Sequence, residues 1–319
     1  MVKKLVSIVI VTRNRKVITL DCLESVLKMN YPNFEVILVD NGSTDGTAGA
    51  VEKQHSRQAR TVGGHQLKVI EVGKNLGLNG GKNLGQKHAG GDYILFLDSD
   101  TLVDKQLLAE LIDLAESDPR IGIVCPKMYY LKPKEVIWYA GAEVNLLTSQ
   151  TSNIGVNEKD FGQWDQIRET QFAPTAYLVT SKVIKKLKGH DEKLFMTYGD
   201  TDYGFRAKKA GFKVMFCPWA RLWHRIKMRD NTKTIRALGY NLPMRAYYFA
   251  RNRVIFMKEH APKFNFVIFM LIFFPLFTFY ISYKIIVFGG GWRFLKPHLQ
   301  GSFDGLRYAL GNKITNVYT

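Results

Sequence analysis

Tyr93-Ile94-Leu95-Phe96-Leu97 is an unbroken apolar run that stops abruptly at Asp98-Ser99-Asp100. Its β-forming residues and its bounds, Gly90-Gly91 before and Asp98 after, read as a buried strand of a parallel sheet. The carboxylates then sit at the strand's carboxyl end, where open α/β sheets bind their ligands. Two acids separated by one residue present hard oxygen ligands to a divalent cation. A strand that simply ends in a turn also explains an aspartate, so the flanking sequence has to separate the two readings.

Three further apolar runs precede this one. Val6–Val11 leads into Thr12-Arg13-Asn14-Arg15, Phe34–Val39 into Asp40-Asn41-Gly42-Ser43, and Leu67–Val72 into Gly73-Lys74-Asn75-Leu76-Gly77. Between them, Leu20, Leu23, Val26 and Leu27 recur at helical spacing, and a second helix is expected from Thr44 to about Gln58. Residues 59–66 read as a loop. After Asp100, a helix carrying Leu107, Leu108, Leu111, Ile112 and Leu114 is capped by Asp104 or Thr101 and ended by Pro119, and Ile121–Cys125 forms a fifth strand. Strand–helix alternation with short connections is the pattern of a doubly wound α/β domain. Arg13, Asp40, Asn75, Asp98 and Asp100 then line one edge of one sheet, an arrangement that suits a nucleotide or sugar nucleotide with a bound cation. Neither G-x-G-x-x-G nor a P-loop follows the first strand, which disfavours a dinucleotide fold and a P-loop NTPase. Gly77, Gly80, Gly81 and Gly85 can bring backbone near a phosphate, a weak signal taken alone.

Residues 126–170 lose clear periodicity and hold Tyr129, Tyr130, Trp138, Tyr139, Phe161 and Trp164, either an excursion over an acceptor or ordinary packing aromatics. Thr175–Thr180 reads as a strand and Lys182–Leu187 as a helix. Asp202–Lys209 is helix-like with Gly211 as its stop, placing Asp200 and Asp202 at the start, where the helix dipole favours acids. Val214–Cys217 is a short strand ended by Pro218, and His224 beyond it is a metal ligand or a structural histidine.

The chain has 319 residues, 46% hydrophobic and 23% charged, enough for one large domain or two modest ones. Its net charge is +17 and its pI near 9.6, a surplus that draws polyanions. No zinc-finger spacing or RNA-binding aromatic motif accompanies it, so nucleic acid is not the expected partner. Cys22, Cys125 and Cys217 are odd in number and set among apolar residues, as reduced core thiols are. Met1-Val2-Lys3-Lys4 leads into a short strand rather than a secretory signal. Phe266–Tyr283 is uncharged for eighteen residues, long enough to weigh as a membrane helix, but Pro275 lies in its middle. Arg251, Arg253, Lys258 and Lys263 precede it, and Lys284, Arg293 and Lys296 follow. Basic flanks on both sides argue that both ends stay on one face, so a re-entrant or interfacial hairpin over 264–288, held to anionic lipids, is favoured over a single crossing, with a buried core helix as a third reading. Gly301–Ala309 reads as a last amphipathic helix at the interface.

In order and spacing, Val6–Arg13, Asp40–Ser43, Asn75–Gly77, Asp98–Asp100, Gly199–Arg206 and His224 resemble glycosyltransferase family 2 over about residues 5–230. The resemblance implies the GT-A fold over 1–230, with a nucleotide-sugar half at about 1–125 and an acceptor half at about 126–230. A C-terminal helical region, 231–319, follows. It implies that Thr12, Arg13 and Asp40 surround the nucleotide base and ribose, with Asn75, Lys82 and Ser99 on the same donor side. Asp98 approaches the ribose or sugar, while Asp100 and His224 hold Mg2+ or Mn2+ on the diphosphate. Asp200 is the implied general base, and Asp202, Trp164 and Thr175 lie toward the acceptor. The implied reaction is metal-dependent, inverting transfer from a UDP- or dTDP-sugar, the rhamnose type included, to a hydroxyl of a lipid-linked or polysaccharide glycan. Its implied place is the cytoplasmic face of the membrane. The chain departs from the pattern where Gly199-Asp200 replaces a common Glu-Asp, Lys82 a common Arg, and Ala173-Pro174-Thr175 a Gly-Ala pair.

Three other readings fit less well. A nucleotidyltransferase needs a glycine-rich loop after strand one, and Thr12–Thr19 has no glycine. A glycoside hydrolase also uses paired carboxylates, but not a nucleotide-type strand edge. A non-catalytic, membrane-attached carbohydrate-binding protein has no need to keep Asp98, Asp100, Asp200 and His224 together.

Overall fold

A computed structural model describes residues 3–56, 61–62, 65–228, 234–240 and 242–313. The chain forms two compact units, one of Met1–Glu143, Asn153–His190 and Tyr203–Met228, the other of Val144–Ser152, Asp191–Asp202 and Arg229–Thr319. The second unit therefore takes in 144–152 and 191–202 as well as the expected C-terminal region. In chain order the elements begin with β1 (Val6–Thr12), α1 (Lys16–Leu27), β2 (Phe34–Asp40), α2 (Thr47–Ser56), β3 (Thr61–Val62), β4 (His65–Glu71), α3 (Gly77–Lys87), β5 (Tyr93–Asp98), β6 (Thr101–Val103) and α4 (Leu107–Ser117). They continue through β7 (Ile121–Tyr130), β8 (Ile137–Tyr139), β9 (Ala142–Val144), β10 (Thr151–Asn153), β11 (Arg168–Glu169), β12 (Ala176–Thr180), α5 (Ser181–Leu187), α6 (Gly199–Lys209) and β13 (Lys213–His224). The last helices are α7 (Pro243–His260), α8 (Lys263–Ile268), α9 (Phe274–Val287) and α10 (Gly291–Ala309).

The first unit is built on an 11-stranded mixed sheet in the order β11-β13-β7-β12-β5-β1-β2-β4-β3, with β6 added to β13 and β8 to β7. β5, β1, β2 and β4 are parallel neighbours, whereas β12 runs antiparallel between β5 and β7. Ile8, Ile10, Val36, Ile37, Leu38, Val39, Leu95 and Phe96 are fully buried, which is why these strands read as continuous apolar runs. The three cysteines are free and buried, as expected, and burial pushes the Cys22 thiol up to about 12.

Four features differ from the sequence reading. The glycines at 77–85 form helix α3 rather than a phosphate loop. A Cβ on Gly81 would stand 2.6 Å from Val11 Cγ1, and one on Gly85 2.3 Å from Val9 Cγ1. Glycine at this four-residue spacing lets α3 press directly on β1, and close packing outweighs poor helix propensity. The loop expected at 59–66 contains β3, which pairs antiparallel with β4; residues 57–60, 63 and 64 lie outside the described residues. β13 does not stop at Pro218. Cys217 pairs with Pro126 and Arg221 with Lys127, so Pro218–Ala220 form a bulge that accommodates the missing N–H while the strand continues to His224.

The fourth lies in the second unit. Lys263–Val287 is one continuous helical run of 25 residues, not a hairpin, and it is the only described helix long and apolar enough to cross a membrane. A π-helical turn, Phe269–Phe273, lies directly before Pro275, with Phe274 N donating to the Phe269 carbonyl five residues back, so the run continues through the proline without breaking. α7 lies antiparallel beside this run. Arg253 in mid-α7 stacks on the Phe277 ring at 4.7 Å, and Ile285 near the end of α9 packs with Tyr240 and Ala246 near the start of α7. α10 returns along α7 so closely that a Cβ on Gly301 would lie 2.1 Å from the Tyr247 carbonyl oxygen.

Candidate active site

Parallel register aligns the strand ends of the first unit. Thr12 pairs with Asp40, and Val11 with Asp98. The loops after β1, β2 and β4 are hydrogen-bonded into one rim. Asn14 N donates to Ser43 Oγ at 2.9 Å, and Thr44 N to Asn14 Oδ1 at 2.7 Å. Asn41 Nδ2 donates to Asn75 Oδ1 at 3.2 Å, and Asn41 Oδ1 accepts from Leu76 N at 2.9 Å. Asp40 is buried, one oxygen accepting from Ser43 N at 2.8 Å and the other from Ala48 N at 3.1 Å. It holds the turn and the start of α2. The Thr12 hydroxyl bonds that of Thr19 at 2.7 Å, while Arg13 is exposed.

The acids of the opening stretch meet His224 through a short reversal. Thr101 Oγ1 donates to the Asp98 carbonyl at 2.8 Å, and β6 then pairs with β13 so that Thr101 lies opposite His224. One ligand atom from each of Asp98, Asp100 and His224 lies within 4.8 Å of the other two. His224 Nε2 is 3.2 Å from Asp100 Oδ1, and Arg15 Nη1 is 2.6 Å from Asp100 Oδ2. The backbone of Arg225 donates to the Asp100 carbonyl at 2.8 Å, and the Trp138 ring meets the His224 ring edge-on at 4.7 Å. Burial pushes the Asp100 carboxyl up, but the hydrogen bond and charge of His224, with Arg15 beside it, hold it well below the usual carboxylate range. Two ionisable carboxylates and a neutral-capable imidazole form a donor set that fits Mg2+ or Mn2+. Ser99 between them is buried.

Thr175 closes the other side of Asp98. Its carbonyl accepts from Asp98 N at 2.9 Å, and it holds φ +67°, a strained value for a β-branched residue. Lys82 faces inward from α3, 1% exposed, with Nζ 5.1 Å from the Tyr177 ring centre and 3.4 Å from its hydroxyl. That hydroxyl bonds His190 Nε2 at 2.6 Å. The structure thus sets Lys82 in an aromatic cluster of the first unit rather than on the exposed rim. Trp164 lies in the 154–167 excursion, its Nε1 donating to Glu158 Oε2 at 2.8 Å and its ring under Arg168 at 4.6 Å.

Asp200 and Asp202 occupy the first turn of α6, as their spacing implies. Asp200 is partly exposed, whereas Asp202 is 5% exposed and accepts from His260 Nε2 at 2.8 Å. Arg15 and Arg225 are site neighbours to which the sequence reading gave no role, while Trp138 and Thr101 entered it only as an excursion aromatic and a helix cap. Arg15 left a signal, standing in the loop directly after β1.

Glycosyl transferase family 2 matches the chain over residues 7–176, and the glycosyl transferase family group 2 over 93–294. Poly-β-1,6-N-acetyl-D-glucosamine synthase of Staphylococcus epidermidis is 24% identical over 253 residues, 70% of this chain and 55% of that protein. Glycosyltransferase GlyG of Streptococcus pneumoniae serotype 4 is 31% identical over 184 residues, 57% of each. The O-antigen biosynthesis protein RfbC of Myxococcus xanthus is 26% identical over 76% of this chain and 19% of its own length. The chain thus spans about half the length of the first two. Among solved structures, S. aureus TarS 1-349 with UDP superposes at TM-score 0.54 and 17% identity over 98% of this chain and 94% of that one. The mannosyltransferase PcManGT of Pyrobaculum calidifontis, with GDP-Man and Mn2+, gives 0.54 and 13% over 95% and 87%. These likenesses are of fold, and the fold is GT-A. With the sheet-edge cluster in place and more than half the sequence matched, the chain belongs to glycosyl transferase family 2.

Proposed function

We propose that this chain is a metal-dependent, inverting glycosyltransferase. It moves a sugar from a nucleoside-diphosphate sugar to a hydroxyl of a lipid-linked or polysaccharide glycan. The observation that carries the reading is the convergence of Asp98, Asp100 and His224 at the carboxyl edge of the sheet. PcManGT holds GDP-Man and Mn2+ on the same fold, and TarS holds UDP, which supports a nucleotide-sugar donor and a divalent cation here.

Asp100 and His224 would hold the cation, with Asp98 beside them toward the sugar. When bound, the cation would supply positive charge against the departing diphosphate. The rim of Thr12, Arg13, Asp40 and Asn75 receives the base and ribose, with Asp40 acting by fixing the loop geometry. Asp200 accepts the proton of the acceptor hydroxyl as that oxygen bonds the anomeric carbon. The bond from the anomeric carbon to the diphosphate oxygen breaks on the opposite face, so a single displacement inverts the configuration.

The C-terminal region lies along the membrane interface rather than across it. The apolar run 263–287 sits beside α7, which carries Arg245, Arg251, Asn252, Arg253, Lys258 and Glu259. A crossing by the one would drag the other's charges into hydrocarbon, at several kcal/mol each. Phe264, Leu271, Phe279 and Ile286 are 74%, 74%, 75% and 60% exposed, an apolar face for the lipid boundary. The net charge of +17 favours the anionic cytoplasmic leaflet.

Thermal unfolding of the purified protein with UDP-, dTDP- and GDP-sugars, each with and without Mn2+, tests the reading. A donor at 100 times its Kd adds about 2.7 kcal/mol to stability. A shift with one nucleotide that requires Mn2+ is expected; a shift equally large without metal overturns the metal role, and none with any donor overturns the donor site.

A further inference from the structure

Within the second unit, the segment that leads into Asp200 is strained and tightly held. Phe195, Thr197 and Tyr198 have φ of +54°, +60° and +57°, the left-handed region that residues other than glycine rarely occupy. One ridge of α7 meets this segment at every fourth residue. Tyr248 stacks on Phe195 at 5.0 Å, Phe256 packs on Tyr198 at 5.5 Å, and His260 Nε2 reaches Asp202 Oδ1 at 2.8 Å. Between them, the fully buried Asn252 donates through Nδ2 to the carbonyls of Leu194 at 2.6 Å and Met196 at 2.7 Å. Both Thr197 oxygens lie alongside, at 3.2 and 3.3 Å. Arg251, itself 1% exposed, sets the direction of that carboxamide. Its Nε donates to Asn252 Oδ1 at 3.0 Å, turning the NH2 toward the carbonyls, and its Nη2 donates to the Lys193 carbonyl. Tyr198 then starts α6, its carbonyl accepting from Asp202 N at 2.8 Å. Asp200 is two residues into this frame, gripped before by Asn252 and after by His260.

We propose that Asn252, oriented by Arg251, is a positioning residue that holds the strained 194–198 segment so that Asp200 is presented as the base. This rests on the reading of Asp200 given above. The C-terminal unit then belongs to the catalytic machinery and is more than an anchor. An α7 side chain that merely filled the core would need neither a donor pair aimed at two carbonyls nor a second residue fixing its amide.

The test uses the full chain carrying Asn252→Leu, which keeps the shape and removes both donors. Amide hydrogen exchange is measured on peptides covering 194–202 and 93–100, and release of the nucleoside diphosphate on the donor that the thermal screen selects. Exchange over 194–202 is expected to rise at least about tenfold with 93–100 unchanged. Turnover is expected to fall about 10²-fold with donor KM within about twofold, since displacement of a reacting group by an ångström has that effect. Added to Asp200→Asn, the change should lower turnover no further. Unchanged exchange at 194–202, unchanged turnover despite faster exchange, or a fully additive double variant overturns the proposal. Full turnover in Asp200→Asn alone instead overturns the base itself. Should Asn252→Leu not fold, Arg251→Lys, which keeps the charge but loses the Nε bond, is measured in its place, with the same changes expected and the same results overturning the proposal.

Discussion

Asp100 shows how much one side chain is asked to balance. Each of its oxygens meets a cation or cation-capable group, His224 at 3.2 Å and Arg15 at 2.6 Å. Asp100→Asn keeps the shape and removes the charge, so it should abolish the Mn2+-dependent part of donor stabilisation while leaving the fold intact. Persistence of the full Mn2+-dependent shift in Asp100→Asn removes this residue from the metal set. His190 makes a different residue-scale prediction. Burial, then the charges of Lys82 and Arg206, hold its imidazole well below the ordinary value of 6.5, so it is neutral in the folded chain. Below about pH 6.5 the unfolded chain takes up a proton that the folded chain refuses, so stability should fall by roughly 1.4 kcal/mol per pH unit of acidification from this group. Above that pH the group contributes no slope. Unfolding followed from pH 7.5 to 5.0 should show a flatter decline in His190→Phe than in the wild type, and parallel curves refute the assignment.

At the scale of elements, α3 and β13 show which features a sequence can and cannot express. The buried strands were legible because burial on both faces leaves an unbroken apolar run, as in Val6–Val11 and Tyr93–Leu97. The convergence of Asp98 and Asp100 at one strand end was legible because they end such a run, and His224, a lone histidine in the sequence, joined them through the family resemblance. α3 was not legible, since its glycines argue against a helix until Val9 and Val11 stand 2.3 and 2.6 Å from where their Cβ atoms would be. Nor was the bulge at Pro218–Ala220, because a proline ends a strand unless its partner strand skips it. The His260–Asp202 pair joins residues 58 apart and leaves no local trace at all. The helix makes a test in which two effects of opposite sign compete. Gly85→Ala gains about 1 kcal/mol of helix propensity, but it forces a methyl into Val9 of a strand that cannot give way, at about 1–3 kcal/mol. A net loss of stability is expected in chemical denaturation; a gain would mean that α3 does not press on β1. Gly301→Ala meets backbone rather than a side chain, the Tyr247 carbonyl at 2.1 Å, and should cost more than Gly85→Ala.

On the scale of the whole molecule, the proposed interfacial placement makes the basic surplus and the apolar C-terminal face act on one partner, an anionic lipid surface. An interfacial helix gains affinity from buried apolar area and from attraction to anionic headgroups, and only the second is screened by salt. Replacing Leu271, Leu276, Phe279 and Ile286, each at least 60% exposed, by serine strips the apolar part without touching the α7 contacts at Phe277 and Ile285. The substituted chain should keep its unfolding transition and its donor shift. It should float with vesicles containing phosphatidylglycerol only at low salt, because what remains is the +17 charge. The wild type should stay bound at about 0.5 M salt, where the Debye length is only a few ångströms. Salt-resistant binding of the serine variant would place the anchor elsewhere in the chain. Salt-labile binding of the wild type would leave the helix without a lipid role. If 263–287 crossed the bilayer instead, protease added outside sealed vesicles would separate its two ends. On the interfacial placement proposed above, both ends, Lys263 and Lys284, should share one fate, cut together from outside or protected together.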